Sequence, residues 1–376
     1  MQKCCLITGA SSGLGRALAL QYAAAGWQVL AVARSGERLQ QLSQQSPWIQ
    51  CLQLDLTDSE AVARLADVPV LPEARRGAFA LRHLLADRDY QEVINFAFVE
   101  RRWESDFAGN DAPVVLANPI ASQMSVMRST LIGGLVDNVA TNRRRQTERV
   151  RVFEIGRCFA KDAGAQPVAG YAQTLRIAAL AWGGDSAEQW GVATRAVDFF
   201  DVKADVEALL WPRQATFAVA RHPALHPGRS ASVSLDGQVI GCIGELHPEL
   251  VQRYELGSAP VLFELDLEPL LEVPMPAHRT LSRQPSVRRD IALLLPRTTA
   301  ASAVLDGLRS VAPGIVQEIA LFDLYQGKGI ADTEKSFAFR IVMQDTQRTL
   351  ADAEVDATVD QLVMYAQREF GAKLRA

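Results

Sequence analysis

A glycine-rich loop near the start of the chain is the first group of residues whose spacing could support chemistry. It reads TGASSGLG over residues 8–15, between a short apolar segment and an apolar-periodic helix. Glycines at such a turn permit a tight bend and let a pyrophosphate approach the backbone N–H groups of a helix N-terminus, although they can also serve only to shape the turn. The loop therefore predicts a dinucleotide site whose candidate contacts are Gly9, Ser11, Ser12, Gly13, Leu14 and Gly15.

Three other sets of polar residues could do chemistry, and each also has a simpler interpretation. Three histidines, each followed by proline, lack the helical HxxxH spacing and the cysteine partners of a zinc site, so we predict no metal there. A charged cluster that opens a helix more often caps and solvates it than performs acid/base catalysis. An arginine run at a helix end could contact RNA, but a solvated or inter-subunit helix end is the favoured interpretation. These sets are His222, His226 and His247; Asp201, Lys203 and Asp205; and Arg143, Arg144 and Arg145.

The composition indicates an ordinary globular protein of two or three domains. The chain has 376 residues, of which 48% are hydrophobic, and its net charge of −4 gives no global basic field for nucleic acid. Its five cysteines lack CxxC spacing, which argues against a disulfide framework or a structural zinc site. No apolar run reaches the roughly 18 residues that a membrane span needs, and the glycine-rich start differs from a signal peptide. We therefore expect a cytoplasmic protein without a membrane partner.

The elements around the loop predict half of a doubly wound sheet. Strands are expected over residues 4–8, 28–33 and 49–56, which gives the order β-α-β-α-β of a truncated Rossmann-like segment. The loop resembles the TGxxxGxG fingerprint of the short-chain dehydrogenase/reductase family. That resemblance implies NADP as the cofactor, with Arg34 meeting a 2′-phosphate and Asp55 lying beside the adenine.

The catalytic residues of that family are missing from the chain. The family uses a tyrosine with a lysine four residues later, so that the ammonium lowers the phenol pKa for proton transfer. None of the six tyrosines has a lysine at that spacing, and the Asn-Ala-Gly segment after a fourth strand is also absent. An NADP-dependent short-chain oxidoreductase is therefore only the second hypothesis, and residual NADP binding is the part of it that the loop supports.

The character of the chain changes between residues 67 and 72. A helical pattern over residues 59–66 is interrupted by Pro69 and Pro72, and a new amphipathic helix follows. We predict four segments on this basis. They are a partial Rossmann segment over residues 1–67, a junction over 68–72, and two further domains over 73–277 and 279–376.

The domain over residues 73–277 is predicted to be antiparallel α+β. Asp236-Gly237 is a strong hairpin turn between two of its strands. Helices are expected from Ala78, over residues 129–142, and in the later part of residues 199–210, which begin as a strand. Strands are expected over residues 93–99, 151–155, 175–182, 230–235, 238–243 and 261–267.

Several strings in this domain resemble the phenylalanyl-tRNA synthetase β-subunit family. Examples are YQEVINFAFV from residue 90, ANPIASQMSVMRSTLIGGLVDNVATNRRRQ from 117, VDFFDVKADVEALL from 197 and HPALHPGRSA from 222. The resemblance implies a class II synthetase-like module that has lost its own active site and packs against a catalytic α subunit in a heterotetramer. The family uses ATP and magnesium, but its segment of acidic magnesium ligands, its editing domain and its oligonucleotide-binding module are not found here.

Residues 279–376 are predicted to form a ferredoxin-like β-α-β-β-α unit, with a capping box over residues 349–352 and one open sheet face. LFDLYQGKGI and RTLADAEVDA resemble the ferredoxin-fold anticodon-binding domain of the same β subunit, which implies contact with tRNA-Phe. On an open sheet, basic residues can meet phosphate and aromatic residues can stack on unpaired bases. Gln284 departs from the family, which usually has an aromatic residue there. The RNA-binding candidates are Arg283, Arg288, Arg289, Tyr325, Lys328, Lys335 and Arg340.

The leading hypothesis is an α+β multidomain protein, a truncated β-subunit-like chain fused behind a partial reductase segment. It would support tRNA-Phe aminoacylation by binding the α subunit and the tRNA anticodon region, with no active site of its own. The oxidoreductase is the second hypothesis. The third is a non-functional fusion or a gene-calling artefact.

Overall fold

A computed structural model describes residues 3–58, 75–275 and 281–375. The chain divides into two compact units, Met1–Met275 and Pro276–Ala376. The helix expected over residues 59–66 and the junction over 68–72 lie outside the described residues. None of the helices in the described ranges has the length and apolar character that a membrane span requires.

Residues 3–58 form a parallel sheet of three strands with two connecting helices. The central strand pairs with both others, and Leu30 lies between Leu6 and Gln50 in the register. Alanine and leucine side chains of the helices are buried against the sheet, which explains the apolar periodicity of this segment. The predicted β-α-β-α-β order is confirmed. In chain order the elements are β1 (Cys4–Thr8), α1 (Gly13–Ala24), β2 (Gln28–Ala33), α2 (Gly36–Ser43) and β3 (Ile49–Gln53).

The third strand of this segment is shorter than predicted. It ends at Gln53 instead of residue 56, although the Leu54 N–H still donates to the Ala33 carbonyl. The reason is a local turn, because the carboxylate of Asp55 accepts hydrogen bonds from the backbone N–H and the hydroxyl of Thr57. Aspartate side chains that bond to the backbone two residues on favour turns over strands.

Residues 75–275 form an antiparallel-dominated α+β domain, as predicted. Within this range seven strands make one sheet in the order β4-β7-β8-β12-β11-β10-β9, and only the β4-β7 pair is parallel. A separate small pair joins β5 and β6. The strands are β4 (Gln91–Glu92), β5 (Phe98–Val99), β6 (Val126–Met127), β7 (Val150–Asp162), β8 (Gly170–Trp182), β9 (Ala215–Val219), β10 (Leu225–Leu235), β11 (Gln238–Leu246) and β12 (Val261–Asp266).

Helices cover both faces of this sheet. Leucines and valines of α3 and α6 pack on one face, and those of α5 pack on the other. The predicted hairpin turn is confirmed, since Asp236 and Gly237 join β10 to β11 with positive φ angles of 50° and 81°. The helices are α3 (Ala78–Asp87), α4 (Arg101–Trp103), α5 (Ile132–Arg144), α6 (Phe199–Leu210), α7 (Pro248–Arg253) and α8 (Glu268–Leu271).

Two elements of this domain differ from the sequence-based expectation. The strand predicted over residues 93–99 is two short strands, β4 and β5, because Asn95 between them turns inward to donate to Glu154 and Asn138. Residues 199–210 are helical throughout instead of beginning as a strand. Asp198 accepts hydrogen bonds from the N–H groups of residues 200 and 201 and so starts α6 directly.

Residues 281–375 form the predicted ferredoxin-like unit, in which two helices cover one face of the sheet. Within this range the strand order is β14-β15-β13-β16, with all pairs antiparallel. The helix α10 begins at Asp352, and Thr349 does not cap it, because its hydroxyl bonds the Gln284 side chain instead. The elements are β13 (Val287–Pro296), α9 (Ala301–Val311), β14 (Val316–Tyr325), β15 (Glu334–Met343), α10 (Asp352–Phe370) and β16 (Lys373–Leu374).

Candidate nucleic-acid interface

The C-terminal sheet has one face covered by helices and one face open. Along β13, Ile291, Leu293 and Leu295 are buried in the core beneath the helices. Arg288 and Asp290 alternate with them and are exposed. Because successive strand residues point to opposite faces, these two charged residues lie on the open side.

Two arginine–aromatic pairs occupy the open face. The Arg340 guanidinium lies 4.6 Å from the centroid of the Phe322 ring, and the Arg375 guanidinium lies 4.9 Å from that of Tyr325. Both distances are typical of cation–π contacts. The rings remain accessible, since Phe322 is 47% and Tyr325 36% exposed. The face therefore offers two flat apolar surfaces, each beside a cation.

Sequence reasoning identified Tyr325 and Arg340 but missed Phe322 and Arg375. A register shift in β14 between Leu321 and Asp323 turns Tyr325 onto the side that Phe322 already faces. Simple alternation along β14 would have put the two rings on opposite faces, so no sequence signal paired them. Arg375 follows a two-residue strand, which is too short for a pattern to reveal.

A carboxylate holds two arginines of this face in place. Arg288 Nη2 lies 3.0 Å from Asp290 Oδ2, and Arg340 Nε lies 3.3 Å from Asp290 Oδ1. The hydrogen bond from Arg288, assisted by the one from Arg340, lowers the pKa of Asp290. Asp290 therefore stays ionised near neutral pH and fixes Arg340 over the Phe322 ring.

Two of the candidate cations do not lie on the open face. Arg289 is on the helix-covered side, 3.9 Å from Asp352 of α10, and Lys335 is on the same side, with Nζ 4.7 Å from the Phe337 ring centroid. Desolvation, with the nearby Arg297 charge, lowers the pKa of Lys335. Both residues lie at strand positions that face the same side as the buried core residues, so the prediction that they lie on the open face is wrong. The remaining candidates, Arg283 and Lys328, are exposed in segments outside the strands.

The N-terminal candidates gather at the edge where the three parallel strands of residues 3–58 end. In the loop after β1, a Cβ atom on Gly15 would lie 2.5 Å from the Gly9 carbonyl oxygen, so only glycine allows α1 to approach so closely. Arg34 follows β2 and is exposed. Asp55 follows β3, and its pKa is lowered by the hydrogen bonds from Thr57 and by the charge of Arg34. Ser11 lies in the turn after β1, Ser12 is the N-cap of α1, and Gly13 and Leu14 are its first residues.

A third polar site surrounds the start of α5 and is almost fully buried. Three glutamates converge on residues 128–131. Glu104 accepts from the N–H and hydroxyl of Ser129, and Glu264 accepts from the hydroxyl of Thr130 and the N–H of Leu131. Glu154 Oε1 lies 2.8 Å from Arg128 Nη1. These contacts position the helix and leave few free lone pairs for chemistry.

Family profiles match all three parts of the chain. That of the phenylalanyl-tRNA synthetase beta chain CLM domain matches residues 64–267, more than half of the chain. The profile of the ferredoxin-fold anticodon binding domain matches residues 282–375, and the profile of the short chain dehydrogenase family matches residues 3–69.

This chain belongs to the phenylalanyl-tRNA synthetase β-chain family.

Curated relatives support the same membership. Phenylalanine–tRNA ligase beta subunits from Aromatoleum aromaticum and Dechloromonas aromatica are 57% and 54% identical over 303 and 310 residues, which cover 81% and 82% of this chain. The chain spans only 38% and 39% of the length of these relatives. Among solved structures, a pyrrolysyl-tRNA synthetase from Desulfitobacterium hafniense is similar with a TM-score of 0.39 and 13% identity, over 63% of this chain and 81% of that one. A TM-score that low adds nothing to the fold assignment.

The charged cluster of the β-chain module has its predicted capping role at Asp201 but differs at Asp205. Asp201 does complete the cap of α6 and pairs with Arg195, but Asp205 is buried instead of solvated. Its carboxylate accepts from the Tyr90 hydroxyl at 2.6 Å and from Arg88 at 2.5 Å. Asp205 therefore ties α6 to the segment after α3.

The three histidine–proline pairs share one geometry. In each, the histidine Nδ1 accepts a hydrogen bond from the N–H two residues later, at 3.0–3.3 Å. His222, His226 and His247 thus shape turns in the manner of asparagine. Within the arginine run, Arg143 donates to the Glu255 carbonyl at 2.6 Å.

Proposed function

We propose that this chain is a non-catalytic component of phenylalanine–tRNA ligase. It supports aminoacylation of tRNA-Phe in the cytoplasm by holding the anticodon region of the tRNA and by docking a catalytic α subunit. The observation that carries the proposal is the open face of the C-terminal sheet, where Phe322 and Tyr325 each lie beside an arginine. All five cysteines are unpaired, which fits a reducing compartment.

The open face fits an RNA loop better than a duplex. Unpaired bases can stack on exposed rings, and each stacked base contributes about 1–3 kcal/mol in single-strand binders. Arg288, Arg340 and Arg375 supply cations for the phosphates between such bases. The unit has little overall positive charge, with 13 Lys and Arg against 12 Asp and Glu from residue 279 onward, so we assign recognition to this face and not to a general basic field.

A separate surface of the module suits a protein partner. Phe79 on α3 and Trp211 at the end of α6 are 71% and 72% exposed, and an open groove between the helices is lined by Ala80, Leu84 and Ala208. Exposed aromatic residues around an apolar groove are typical of protein interfaces. We propose that the α subunit docks here, because two exposed aromatic side chains flank this apolar groove.

The catalytic chemistry then belongs to the partner. Glu264 lies on the sheet face, but its two oxygens already accept from Thr130, Leu131 and Arg176. A carboxylate with its lone pairs used in this way is a poor magnesium ligand. We therefore propose that ATP and magnesium, which the family uses, are bound by the α subunit.

One single and one double variant test both halves of the proposal. Tyr325→Ala is expected to weaken binding of a fluorescent tRNA-Phe anticodon stem-loop by about 1–3 kcal/mol and to leave co-purification with an α subunit unchanged. The double variant Phe79→Ala with Trp211→Ala should weaken co-purification with the α subunit and leave the affinity for the stem-loop unchanged. Each variant is thus the control for the other. No complex between the wild-type chain and an α subunit at micromolar concentration would overturn the docking half, and unaltered RNA affinity in Tyr325→Ala would overturn the other.

We also propose that residues 3–58 retain affinity for an NADP-type nucleotide without catalysing hydride transfer. The specific observation is the close approach at Gly15 together with the exposed Arg34 at the same sheet edge. Titration of NADPH fluorescence should show binding that Arg34→Ala weakens more for NADPH than for NADH. Arg38→Ala, an exposed arginine on α2, is the matched control. Equal loss for both nucleotides would contradict the 2′-phosphate contact.

A further inference from the structure

The first strand of the chain, β1, has one edge without a partner. In the N-terminal sheet β2 lies between β1 and β3, so each outer strand has a free edge. The Lys3 carbonyl accepts from the Gln28 N–H across the β1-β2 pair. Because backbone groups alternate sides along a strand, those of Cys4, Leu6 and Thr8 point away from β2. On that side they bond to no residue that the structure describes.

The two free edges of this sheet differ in their protection. Pro47 precedes β3 and the Asp55–Thr57 turn ends it, and proline and nearby charge are devices that discourage pairing at a sheet edge. The segment Cys4–Thr8 contains neither a proline nor a charged residue, and the Leu6 side chain is 54% exposed. An uncharged apolar run of this kind is typical of parallel strands that are covered by neighbours. The free edge of β1 is therefore suited to accept another strand.

The exposed groups of β1 are complementary to a second copy of the same strand. An antiparallel pair with Leu6 opposite Leu6 puts Cys4 of each copy opposite Thr8 of the other. These are the residues whose backbone groups point outward, and each such pair can exchange two hydrogen bonds. Lys3, the nearest charged residue, would lie opposite Gly9 and not opposite its own copy. A two-fold contact therefore satisfies the edge and brings no like charges together.

We propose that two copies of this chain associate through an antiparallel β1–β1 pair. The contact joins the two N-terminal sheets into one and makes the Leu6 side chains of the two copies neighbours on one face. It closes on itself, because a two-fold contact uses the same edge in both copies and leaves only the protected β3 edges free. One short strand from each copy makes a small interface, so we expect a dissociation constant on the order of 10–100 μM.

Sedimentation velocity on the full chain, without an α subunit and under reducing conditions, tests the proposal from about 1 to 500 μM. Leu6→Lys should raise the dissociation constant at least about tenfold, because two ammonium groups would meet across the pair. Gln50→Lys is the matched control, since Gln50 is exposed in the same row of the register as Leu6 but lies on β3. It should dimerise as wild type does.

Leu6→Pro tests the backbone contact separately from the charge. The Leu6 N–H donates to no described residue, so a proline there leaves the β1-β2 hydrogen bonds in place and removes only the outward donor. We expect at least about a tenfold increase in the dissociation constant with an unchanged circular dichroism spectrum. The double variant Phe79→Ala with Trp211→Ala should dimerise as wild type, because its groove is a different surface.

A cross-link tests the register. Ile7→Cys places a thiol opposite Cys5 of the second copy, in a pair close enough for a disulfide. Oxidation with diamide should give a covalent dimer on a non-reducing gel, and the further change Cys5→Ser should abolish it. A covalent dimer that survives Cys5→Ser would overturn this register. A wild-type chain that stays monomeric over the whole range, or equal dissociation constants for Leu6→Lys and Gln50→Lys, would overturn the proposal itself.

Discussion

Both the seven-stranded sheet and the C-terminal sheet carry arginine–carboxylate pairs on one face, yet the two sheets bury them differently. The Glu264 side chain is 5% exposed where it meets Arg176, whereas the Asp290 side chain is 39% exposed where it meets Arg288. Burial decides what such a pair does. In water the attraction is screened, so the exposed arginines stay available to a ligand. In the interior, each unsatisfied charge is costly, so the pair constrains the fold.

The buried pairs also have more partners. Glu264 accepts from a hydroxyl and a backbone N–H at the start of α5 as well as from Arg176. Asp290 accepts from arginine side chains alone. Arginine–carboxylate pairs therefore position a helix in the module, whereas in the C-terminal unit they leave the arginines of the open face exposed.

The largest expected effect comes from removing the buried carboxylate. Glu264→Ala leaves Arg176, Thr130 and the Leu131 N–H without their acceptor and should lower the free energy of unfolding of the module by about 3–5 kcal/mol. Tryptophan fluorescence in urea follows this without a signal from the C-terminal unit, since all six tryptophans precede residue 276 and four of them lie in the module.

The matched exposed variant is Asp290→Ala. It should change the stability of the C-terminal unit by no more than about 1 kcal/mol. Hydrogen exchange at the amides of β13 and β15 reads this unit, which lacks tryptophan. Similar losses in the two variants would break the comparison.

A glycine beside a second buried pair of the module, Arg128 with Glu154, should be the next most sensitive position. A Cβ atom on Gly156 would lie 2.2 Å from Arg128 Nη2 and 2.9 Å from Glu154 Oε1. Gly156→Ala must displace this pair, so we expect a loss of about 1–3 kcal/mol in the same urea titration.

Gly307→Ala in the C-terminal unit is its counterpart. The new Cβ would meet the rings of Tyr365 and Phe370 at 3.1 Å, and alanine is favoured in a helix by up to about 1 kcal/mol. We expect a net change within about 1 kcal/mol by hydrogen exchange. A larger loss at Gly307 than at Gly156 would show that contact with an ion pair is not what makes the first position sensitive.

Much of the fold could be predicted from the sequence because local patterns and turn residues agree with it. The Asp236-Gly237 hairpin and the apolar face of α10 required no tertiary information. The errors came where a polar side chain overrides the local pattern. Asn95 donates a hydrogen bond to Glu154 and so divides an expected strand in two. Thr349, which was expected to cap a helix, donates its hydroxyl hydrogen to the Gln284 side chain instead.

The site was less predictable because face and burial are tertiary properties. Arg289 and Lys335 looked equivalent to Arg288 and Arg340, yet the alternation set by the core puts them on the helix-covered side. Asp205 looked like a solvated helix-start residue, yet it is buried against Tyr90. Charge and spacing indicate candidate residues. Only the packing of the sheet shows which of them face the open side, where a ligand could contact them.

That separation predicts a difference between two arginines of β13 and β15. Arg340→Ala should reduce by about 1 the slope of log RNA affinity against log salt concentration, because one phosphate-neutralising cation is lost from the open face. Arg289→Ala, on the covered side, should leave the slope unchanged. Anisotropy titrations of the stem-loop over a range of salt concentrations measure both, and equal slopes for the two variants would contradict the assignment of faces.

The smallest expected effect concerns pH and again distinguishes the two units. Burial lowers the pKa of His222 in the folded module below its usual value of 6.5. The unfolded chain therefore takes up the proton first as the pH falls. The stability that the neutral ring contributes is complete above the unfolded pKa and is lost as the pH falls through the folded one.

The urea midpoint from tryptophan fluorescence should accordingly be lower at about pH 5.5 than at about pH 7.5. His222→Asn keeps an acceptor for the Ala224 N–H but does not titrate, so its midpoint should fall less than that of the wild type. Residues 281–375 contain no histidine, and hydrogen-exchange protection there should not show this loss. If His222→Asn retained the full pH dependence, the effect would belong to other groups of the module, and the Nδ1 contact of His222 would not be the pH-sensitive one.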